Sequence, residues 1–395
     1  MTFDIDSAAQ RRLFEFMDDA GRLLGNEQRR ASFALYAQGL WGEGDRKSME
    51  PIAARACPDL KRVDAEHQRL HHFVTCSDWD DRSIRAFSAR YGVSAISERG
   101  AVEAWIFDDT GMLKQGKHSV GVQRQYTGSA GKIANCQLAV SLSVATATEH
   151  VPIDFELYLP RSWTEDEARR EEAKIPKDVQ FKTKIELASD MLDRAVASGI
   201  ARGAVLADSF YGRAGPFRAK IRSHGLEYLL GIDSDTCVRP LESLGRSRQS
   251  IRVDELAKKN SYRRFTWREG SKAALSARFA FQEVKLPEGT VVTLIIEWEK
   301  GEAAPNKFHV AAVNKNRSRK QLLRLLKQRW RTERVYQDLK GELGFDHFEG
   351  RRYRGWHHHI SVVLCCFAFL VAERVRRFSP QSRRQSLCAQ VALAA

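Results

Sequence analysis

Three acidic residues, far apart in the chain, stand where a fold could gather carboxylates. Asp108 and Asp208 each follow a short apolar run, and Glu333 lies in a helical pattern over residues 317–343. Carboxylate oxygens are the ligands that Mg2+ and Mn2+ prefer. Two such cations a few ångströms apart hold the attacking and leaving oxygens of a phosphoryl displacement. Brought together by the fold, these acids would therefore form a cation site suited to phosphodiester chemistry.

A cluster of carboxylates needs compensating charge. Two carboxylates about 4 Å apart repel by roughly 4 kcal/mol at an effective dielectric of 20, so the cluster implies bound metal or raised pKa values. At 100° per residue, Arg329, Glu333 and Lys340 share one side of the helix with Leu322. We expect Arg329 and Lys340 to bind phosphate there. The alternative is a surface helix with an Arg329–Glu333 ion pair at i,i+4 spacing.

The order of the predicted elements indicates how two of the acids could meet. Apolar and amphipathic patterns predict these elements in chain order: strands 101–107, 136–145 and 153–159, a helix at 164–172, a helix at 185–199, strand 203–207, a helix at 215–224 and strand 227–232. This order resembles an RNase H-like fold, in which the first and fourth strands are neighbours. Because open α/β sheets bind ligands at the carboxyl ends of their strands, Asp108 and Asp208 should meet at one edge. We predict an α/β fold with an RNase H-like mixed five-stranded sheet flanked by helices.

The regions on either side of this pattern have a different character. Residues 7–90 show helical spacing without a strand-like run, whereas 235–315 hold β-rich stretches separated by polar turns. We predict five segments: an N-terminal helical DNA-binding domain (1–95), the first part of a catalytic core (100–234), an inserted β-rich subdomain (235–315), the final core helices (316–375) and a basic C-terminal tail (376–395).

Charge and cysteine usage indicate the partner and the compartment. The formal charge of +14 favours a polyanionic partner; the plain alternative is a merely basic soluble protein. Seven cysteines without CxxC spacing suit a reduced cytosolic chain and argue against zinc. The N-terminus has no apolar core of a signal peptide, and the apolar run 360–372 is short for a bilayer and predicts a buried helix. We expect a cytoplasmic protein with no membrane partner.

Three segments resemble the acidic motifs of bacterial insertion-sequence transposases of the DDE class: 106–111 (IFDDTG), 207–212 (ADSFYG) and 329–333 (RWRTE). The match is to the branch with a β-strand insertion before the final Glu. Its signature is Tyr, two residues, Arg, three residues, Glu, six residues, Lys. Arg329, Glu333 and Lys340 occupy the last three positions, and Leu326 replaces the Tyr. The resemblance runs over residues 10–372, including Trp79-Asp80 and the stretch 114–119.

The resemblance implies a cut-and-paste reaction. Asp108, Asp208 and Glu333 would be the catalytic residues and would hold two Mg2+ (or Mn2+) ions. Water activated by metal would cleave the transposon end, and the freed 3′-hydroxyl would attack target DNA. The implied partners are transposon-end DNA with terminal inverted repeats, target DNA and a second copy of the chain on DNA. Some relatives close a hairpin on the transposon end.

The first acidic position has two candidates. The family pattern places the ligand two residues before a small or hydroxyl position, which selects Asp108. Successive side chains of a strand point to opposite faces, so only one of Asp108 and Asp109 should face the metal. Asp109 is the alternative ligand, or it caps the following turn.

Further basic and aromatic residues are candidate DNA contacts. Lys114 and Lys117 lie in a Gly-rich basic stretch that binds DNA backbone or is a solvated loop. Trp298, or Trp267, stacks on a flipped base as in relatives, or packs in a β core. The histidine run 357–359 points three ways on a helix, so we expect a polar or DNA-facing helix start rather than a metal site.

Three functions remain in competition. The first is an active transposase. The second is an RNase H-like nuclease that cleaves nucleic acid without joining strands. The third is a transposase-derived DNA-binding protein without catalysis. The presence of all three acids argues against the third, and the N-terminal helical region argues mildly against the second.

Overall fold

A computed structural model describes residues 7–57, 59–241, 249–269, 274–314 and 316–377. The chain divides into two compact units. Unit 1 comprises Met1–Ala101, Asp109–Thr183 and Glu333–Ala395, and unit 2 comprises Val102–Asp108 and Lys184–Thr332. The segment boundaries predicted at 95, 235 and 315 do not coincide with the limits of these units. The five-segment division stays a prediction, and residues 378–395 of its tail lie outside the described part of the chain.

The α-helices of the described residues are listed in chain order: α1 (Ser7–Arg22), α2 (Glu27–Trp41), α3 (Met49–Ala56), α4 (Val63–His71), α5 (Asp81–Ser97), α6 (Arg161–Thr164), α7 (Glu167–Ala173), α8 (Lys184–Ala197), α9 (Ser209–Gly212), α10 (Gly215–Ser223), α11 (Val253–Ala257), α12 (Arg319–Leu326), α13 (Trp330–Leu343) and α14 (Tyr353–Arg377).

The strands follow the same order: β1 (Val102–Leu113), β2 (Gln123–Thr127), β3 (Lys132–Thr146), β4 (His150–Tyr158), β5 (Ala204–Ala207), β6 (Tyr228–Ile232), β7 (Cys237–Pro240), β8 (Ile251–Arg252), β9 (Arg263–Glu269), β10 (Ala274–Lys285), β11 (Val291–Trp298) and β12 (Lys307–Ala312).

A mixed sheet forms the core of unit 2. β1 pairs in parallel with β5, with Ala104 opposite Ala204 and Ile106 opposite Leu206, and β5 pairs in parallel with β6. Every residue of β5 and β6 is buried, as expected for strands that are covered on both faces. The predicted pairing of the first and fourth strands is confirmed, and so is an α/β fold with a mixed sheet and flanking helices.

The strands of the 235–315 segment continue this sheet. β12 pairs antiparallel with β6, β11 with β12, and β10 with β11. β7 and β9 pair with β10. The segment is β-rich, as its sequence predicts. Its strands are hydrogen-bonded into the sheet that carries Asp108 and Asp208.

In unit 1, α5 packs against α14 and β4. Asp80 caps the N-terminus of α5 by accepting a hydrogen bond from the Arg82 backbone N–H at 3.0 Å. The preceding Trp79 stacks on His358 of α14 with 3.7 Å between ring centroids, and its indole N–H donates to the Phe73 carbonyl at 3.0 Å. The Trp79-Asp80 pair therefore begins one helix and fixes it to another.

The apolar helix α14 is a core element of unit 1. The prediction of a buried helix over 360–372 is confirmed, although the helix itself begins at Tyr353 and ends at Arg377. It is long and apolar enough to cross a membrane by length and composition, but most of its apolar window is buried inside the protein.

The histidines of α14 lie in the core, so the prediction of a polar or DNA-facing helix start is wrong. All three rings of residues 357–359 are buried. His359 Nδ1 lies 2.8 Å from the Tyr36 hydroxyl, and its Nε2 lies 3.2 Å from the Gly344 carbonyl oxygen. A neutral ring protonated on Nε2 donates to the carbonyl and accepts from the hydroxyl. Burial lowers the pKa of His359 to about 3, which keeps the ring neutral.

The late helical run is broken, which changes the predicted stripe of Leu322, Glu333 and Lys340. α12 ends at Leu326, and a 3-10 turn over Lys327–Arg329 precedes α13. Three residues of 3-10 geometry advance about 60° further around the axis than three residues of α-helix. Leu322 is buried and Glu333 is exposed. The predicted stripe assumed one continuous helix, and that assumption is wrong.

Candidate active site

Asp108 lies on β1, and Asp208 directly follows β5, the parallel neighbour of β1 in unit 2. The register of β1 and β5 pairs each residue with the one that lies 100 positions further along, as Ile106 with Leu206. Two residues on, the same offset joins Asp108 to Asp208. Residues opposite one another in a parallel pair face the same side of the sheet. Both aspartates therefore stand beyond the carboxyl end of the paired residues, where the register would bring them to the same edge.

The backbone after Asp208 turns directly into α9. Asp208 Oδ1 accepts hydrogen bonds from the backbone N–H groups of Phe210 at 3.0 Å and Tyr211 at 3.3 Å, so it caps the helix. The Tyr211 hydroxyl lies 3.5 Å from the Asp108 carbonyl oxygen. Both hydrogen bonds use Oδ1, which leaves Oδ2 as the oxygen that could bind a cation within the described part of unit 2.

Glycine at position 212 lets α9 lie against β6. A Cβ added at Gly212 would stand 1.8 Å from the Gly231 carbonyl oxygen, and a Cβ at Gly231 would stand 2.8 Å from the Ser209 nitrogen. Both neighbours are backbone atoms, which cannot rotate aside as a side chain does. The glycine that ends the ADSFYG motif therefore holds Asp208 at its strand end through close backbone contact.

Arg329 faces the first aspartate. Its Nη2 lies 3.8 Å from Asp108 Oδ2, and the guanidinium is about one-third exposed. At that distance the two groups form a loose ion pair, so the guanidinium keeps N–H groups that could donate hydrogen bonds to a phosphate. A positive charge here also offsets the repulsion between neighbouring carboxylates.

A buried ion pair that the sequence did not reveal holds the turn carrying Arg329. Lys327 Nζ lies 2.5 Å from Glu297 Oε1 on β11, and His309 Nε2 of β12 lies 3.8 Å from Glu297 Oε2. The Lys327 ammonium also stands 4.6 Å from the centre of the Trp267 ring. Burial alone would raise the pKa of Glu297, but the His309 contact and the Lys327 charge outweigh it and lower that pKa. The only signal in the sequence was an acid inside the apolar run TVVTLIIEW.

Asp109 lies in unit 1 and Asp108 in unit 2. The Asp109 charge acts on the Cys136 thiol, whose pKa is raised mainly by burial. Asp108 has the Arg329 guanidinium beside it. This arrangement supports Asp108 as the first ligand, and the assignment stays a prediction.

Glu333 lies in the first turn of α13 and is exposed. The opposite side of α13 is buried through Val335, Leu339 and Leu343. These three residues recur at intervals of four, the spacing of one helix face. The helix therefore presents Glu333 to solvent on the face away from its apolar side, and its role as a metal ligand stays a prediction.

Lys340 lies on α13, seven residues after Glu333, and its side chain contacts β1 and the turn between β2 and β3. Its Nζ donates to the Gly111 carbonyl and the Ser129 hydroxyl, each at 2.8 Å. Burial lowers its pKa, against the opposing charge of Asp346. A Cβ added at Gly111 would lie 1.9 Å from Thr127 Oγ1, so glycine at this position lets this turn approach β1. The phosphate-binding role of Lys340 stays a prediction.

The two lysines predicted from the 114–132 stretch differ in environment. Lys114 Nζ donates to the carbonyl oxygens of Asp346 at 3.0 Å and Phe348 at 2.6 Å. Burial lowers the pKa of Lys114 to about 8. Lys117 is exposed. The contacts of Lys114 fix the β1 end to the chain after α13, whereas Lys117 is open to solvent; DNA binding by either residue stays a prediction.

Both tryptophans of the insertion pack against cations. The Arg278 guanidinium lies 3.7 Å from the Trp298 ring centre, and the indole N–H donates to the Glu302 carbonyl at 2.8 Å. Trp267 is covered by Lys327. A base that stacked on Trp298 from the side of Arg278 would have to displace it. Stacking on a flipped base stays a prediction for both residues.

The chemistry of the unit 2 donors fits a hard cation. Asp108 and Asp208 offer carboxylate oxygens from adjacent strands, the ligand type that Mg2+ and Mn2+ take. Within the residues that the structure describes, no group of three or more His, Cys, Asp or Glu stands ready to hold a metal ion. The two aspartates therefore fit as two ligands of a divalent cation, which would need further ligands to complete its coordination.

Comparison with known proteins agrees with these features. A family model described as DDE superfamily endonuclease matches residues 21–274, a stretch that contains Asp108 and Asp208 and ends before Glu333. The chain is also similar to the probable transposase for insertion sequence element IS701 of Microchaete diplosiphon, at 30% identity over 193 residues. That alignment covers 48% of this chain and 47% of the relative, so the chain spans about half the length of this curated relative.

The family model covers more than half of the chain and includes both strand-end aspartates. The resemblance to DDE-class insertion-sequence transposases is thus confirmed, and the chain belongs to the DDE superfamily of endonucleases.

Proposed function

We propose that this protein is a DNA transposase that cleaves transposon ends and transfers the freed strand into target DNA by cut-and-paste. The observation that carries the proposal is the parallel pairing of β1 with β5, since Asp108 and Asp208 each follow the paired residues by two positions. The adjoining Arg329 guanidinium, the net charge of +14 and the transposase relative support it. The succession of β1, β3, β4, β5 and β6 supports an RNase H-like core.

The chain's own residues have distinct roles in this proposal. Asp108, Asp208 and Glu333 would hold two Mg2+ (or Mn2+) ions. When bound, these cations would stabilise the attacking and leaving oxygens of an in-line displacement. Arg329 would bind a phosphate oxygen next to Asp108, with its turn held by the Lys327–Glu297 pair. Lys340 and Lys117 would bind neighbouring phosphates.

The partners follow from the same proposal. The N-terminal helices (1–95) would bind the inverted repeats of the transposon end, and a second copy of the chain would bind the other end. The insertion, through Trp298 or Trp267, would contact the DNA close to the cleaved strand. The polyanionic partner agrees with the charge of the chain. Cytoplasmic localisation agrees with the burial of α14.

Strand joining is the test. Purified protein is incubated with a labelled transposon-end duplex and a target plasmid, with Mg2+ or Mn2+. We expect cleaved and joined products from the wild type and neither from Asp208→Ala. The matched control is Asp235→Asn, which removes an exposed acid of the same unit and should leave both products unchanged.

The other two functions give different results in this assay. Cleavage without joining, abolished by Asp208→Ala, would assign a nuclease. Binding of the duplex without cleavage in either metal would assign a DNA-binding descendant. Cleavage retained by Asp208→Ala would remove Asp208 from the active site.

A further inference from the structure

The hairpin formed by β2 and β3 carries an exposed apolar pair at its tip. Tyr126 and Ile133 are opposite one another in the antiparallel register, so their side chains share one face. Tyr126 is 65% exposed and Ile133 is 61% exposed. Such exposure of two large side chains at opposed positions marks an interaction surface better than a single exposed residue does.

The chain around this pair is basic throughout. Residues 111–148 contain no Asp and no Glu, but include Lys114, Lys117, Arg124 and Lys132. Arg124 lies two residues before Tyr126, on the same face of β2, and Lys132 precedes Ile133. Both cations are exposed. An apolar pair with an exposed cation beside it on each strand complements a polyanion that also has an apolar interior, and it disfavours a second copy of the same basic hairpin.

The tip is fixed rather than loose. The Ser129 hydroxyl donates to the Gly111 carbonyl at 2.9 Å, and Lys340 Nζ contacts both groups at 2.8 Å. Lys340 and Glu333 stand on the same helix, α13. A DNA duplex bound by the hairpin would therefore be held at a constant position relative to the helix of the predicted third ligand.

We propose that this hairpin is a DNA-binding finger of the enzyme. Tyr126 and Ile133 contact sugars and base edges in a groove of duplex DNA, and Arg124 and Lys132 bind the phosphates on either side. The inference rests on the proposed function, which it deepens by assigning a DNA contact outside the carboxylate site. The contact distinguishes base sequences only weakly, since neither side chain of the apolar pair has two adjacent hydrogen-bonding groups to bind one base edge.

Binding of a fluorescein-labelled duplex, without divalent metal, separates the two parts of the finger. The double variant Tyr126→Ala/Ile133→Ala should weaken binding about tenfold, the effect of one lost aromatic contact, with the same salt dependence as the wild type. Arg124→Gln/Lys132→Gln should reduce the slope of log K against log salt by about 2, close to one per phosphate contact.

Matched controls remove comparable exposed groups elsewhere in unit 1. Leu370→Ala removes an exposed apolar side chain of α14, and Lys177→Gln removes an exposed cation. Both should bind DNA as the wild type does. Because Tyr126 and Ile133 are exposed, all variants should show the circular dichroism melting curve of the wild type.

Two outcomes overturn the finger alone. The apolar double variant could bind and join DNA as the wild type does, or it could bind normally while a wild-type dimer becomes a monomer in light scattering, which would assign the patch to a second copy. A wild-type protein that neither binds nor joins DNA would instead refute the proposed function together with the finger.

Discussion

Substitution of Glu297 by Gln tests the buried pair beneath Arg329. The Glu297 side chain is 1% exposed and Lys327 is 21% exposed. Removing one partner of a fully buried pair costs about 3–5 kcal/mol, because the other charge stays buried without compensation. Lys327 reaches some water, so we expect Glu297→Gln to reduce the free energy of unfolding by about 2–3 kcal/mol.

The neighbouring Glu299 provides a control with the same chemistry at a different burial. Its carboxylate lies 2.7 Å from Lys307 Nζ, and the two side chains are 36% and 47% exposed. Exposed pairs contribute about 0–1 kcal/mol. Glu299→Gln should therefore change the free energy of unfolding by less than about 1 kcal/mol.

The assay is urea unfolding followed by tryptophan fluorescence, to which Trp267 beside Lys327 contributes. The double variant Glu297→Gln/Lys327→Met should recover much of the loss, because an apolar side chain of similar volume does not need a charge partner. Equal losses in Glu297→Gln and Glu299→Gln, or no recovery in the double variant, would refute this reasoning.

The same cluster predicts a direction with pH. The folded-state pKa of Glu297 is lowered overall, and burial lowers that of His309. For both groups the stabilisation is present above the unfolded-state pKa and is lost as the pH falls through the folded-state value. His309 begins to weaken unit 2 below about pH 6.5 and Glu297 below about pH 4.3, their unfolded values.

Three further substitutions, one of them with a glycine control, have defined outcomes. Gly212→Ala should lower the free energy of unfolding by about 2 kcal/mol or more in a urea titration, because its new Cβ would meet backbone atoms. Its control is Gly341→Ala, which should not lower that free energy because its Cβ would meet nothing within 4 Å. Arg329→Gln should slow cleavage about 100-fold with little change in DNA affinity, and a rate equal to the wild type would remove Arg329 from the site. His359→Gln should reduce the loss of stability between pH 6 and pH 4, because the folded-state pKa of His359 is about 3 and its protonation favours the unfolded chain. The reduction corresponds to about one proton, or about 1.4 kcal/mol per pH unit. An unchanged pH profile would contradict the neutral buried ring.

Local patterns sufficed for the strands that carry the two aspartates. The run before Asp208 is apolar throughout, and the run before Asp108 is apolar except at Glu103. This is the pattern of strands covered on both faces, and β1 and β5 pair as the element order predicts. The apolar periodicity of the sequence does not predict the 3-10 turn that interrupts the helical run, because Lys327–Arg329 contains no Gly or Pro. The stripe predicted for Leu322 and Glu333 failed for that reason.

Partners distant in sequence explain the rest. His358 and His359 are buried because the carbonyls of Val74, Trp79 and Gly344, all distant in sequence or outside α14, contact their rings. Similarly, the sequence shows Glu297 only as one acid in an apolar run, whereas in the structure Lys327 pairs with it. Such long-range hydrogen bonds leave no periodic trace in a single sequence. The short strand β2 also escaped prediction, since its residues are mostly polar.

The most direct test of the central claim is the metal dependence of strand joining by Asp208→Cys, with Asp109→Cys as its control. A thiolate binds Mn2+ more readily than the harder Mg2+. If Asp208 is a cation ligand, Asp208→Cys should yield no joined product in Mg2+ and recover it in Mn2+, while Asp109→Cys should join strands in both. Equal joining by Asp208→Cys in the two metals would contradict the account.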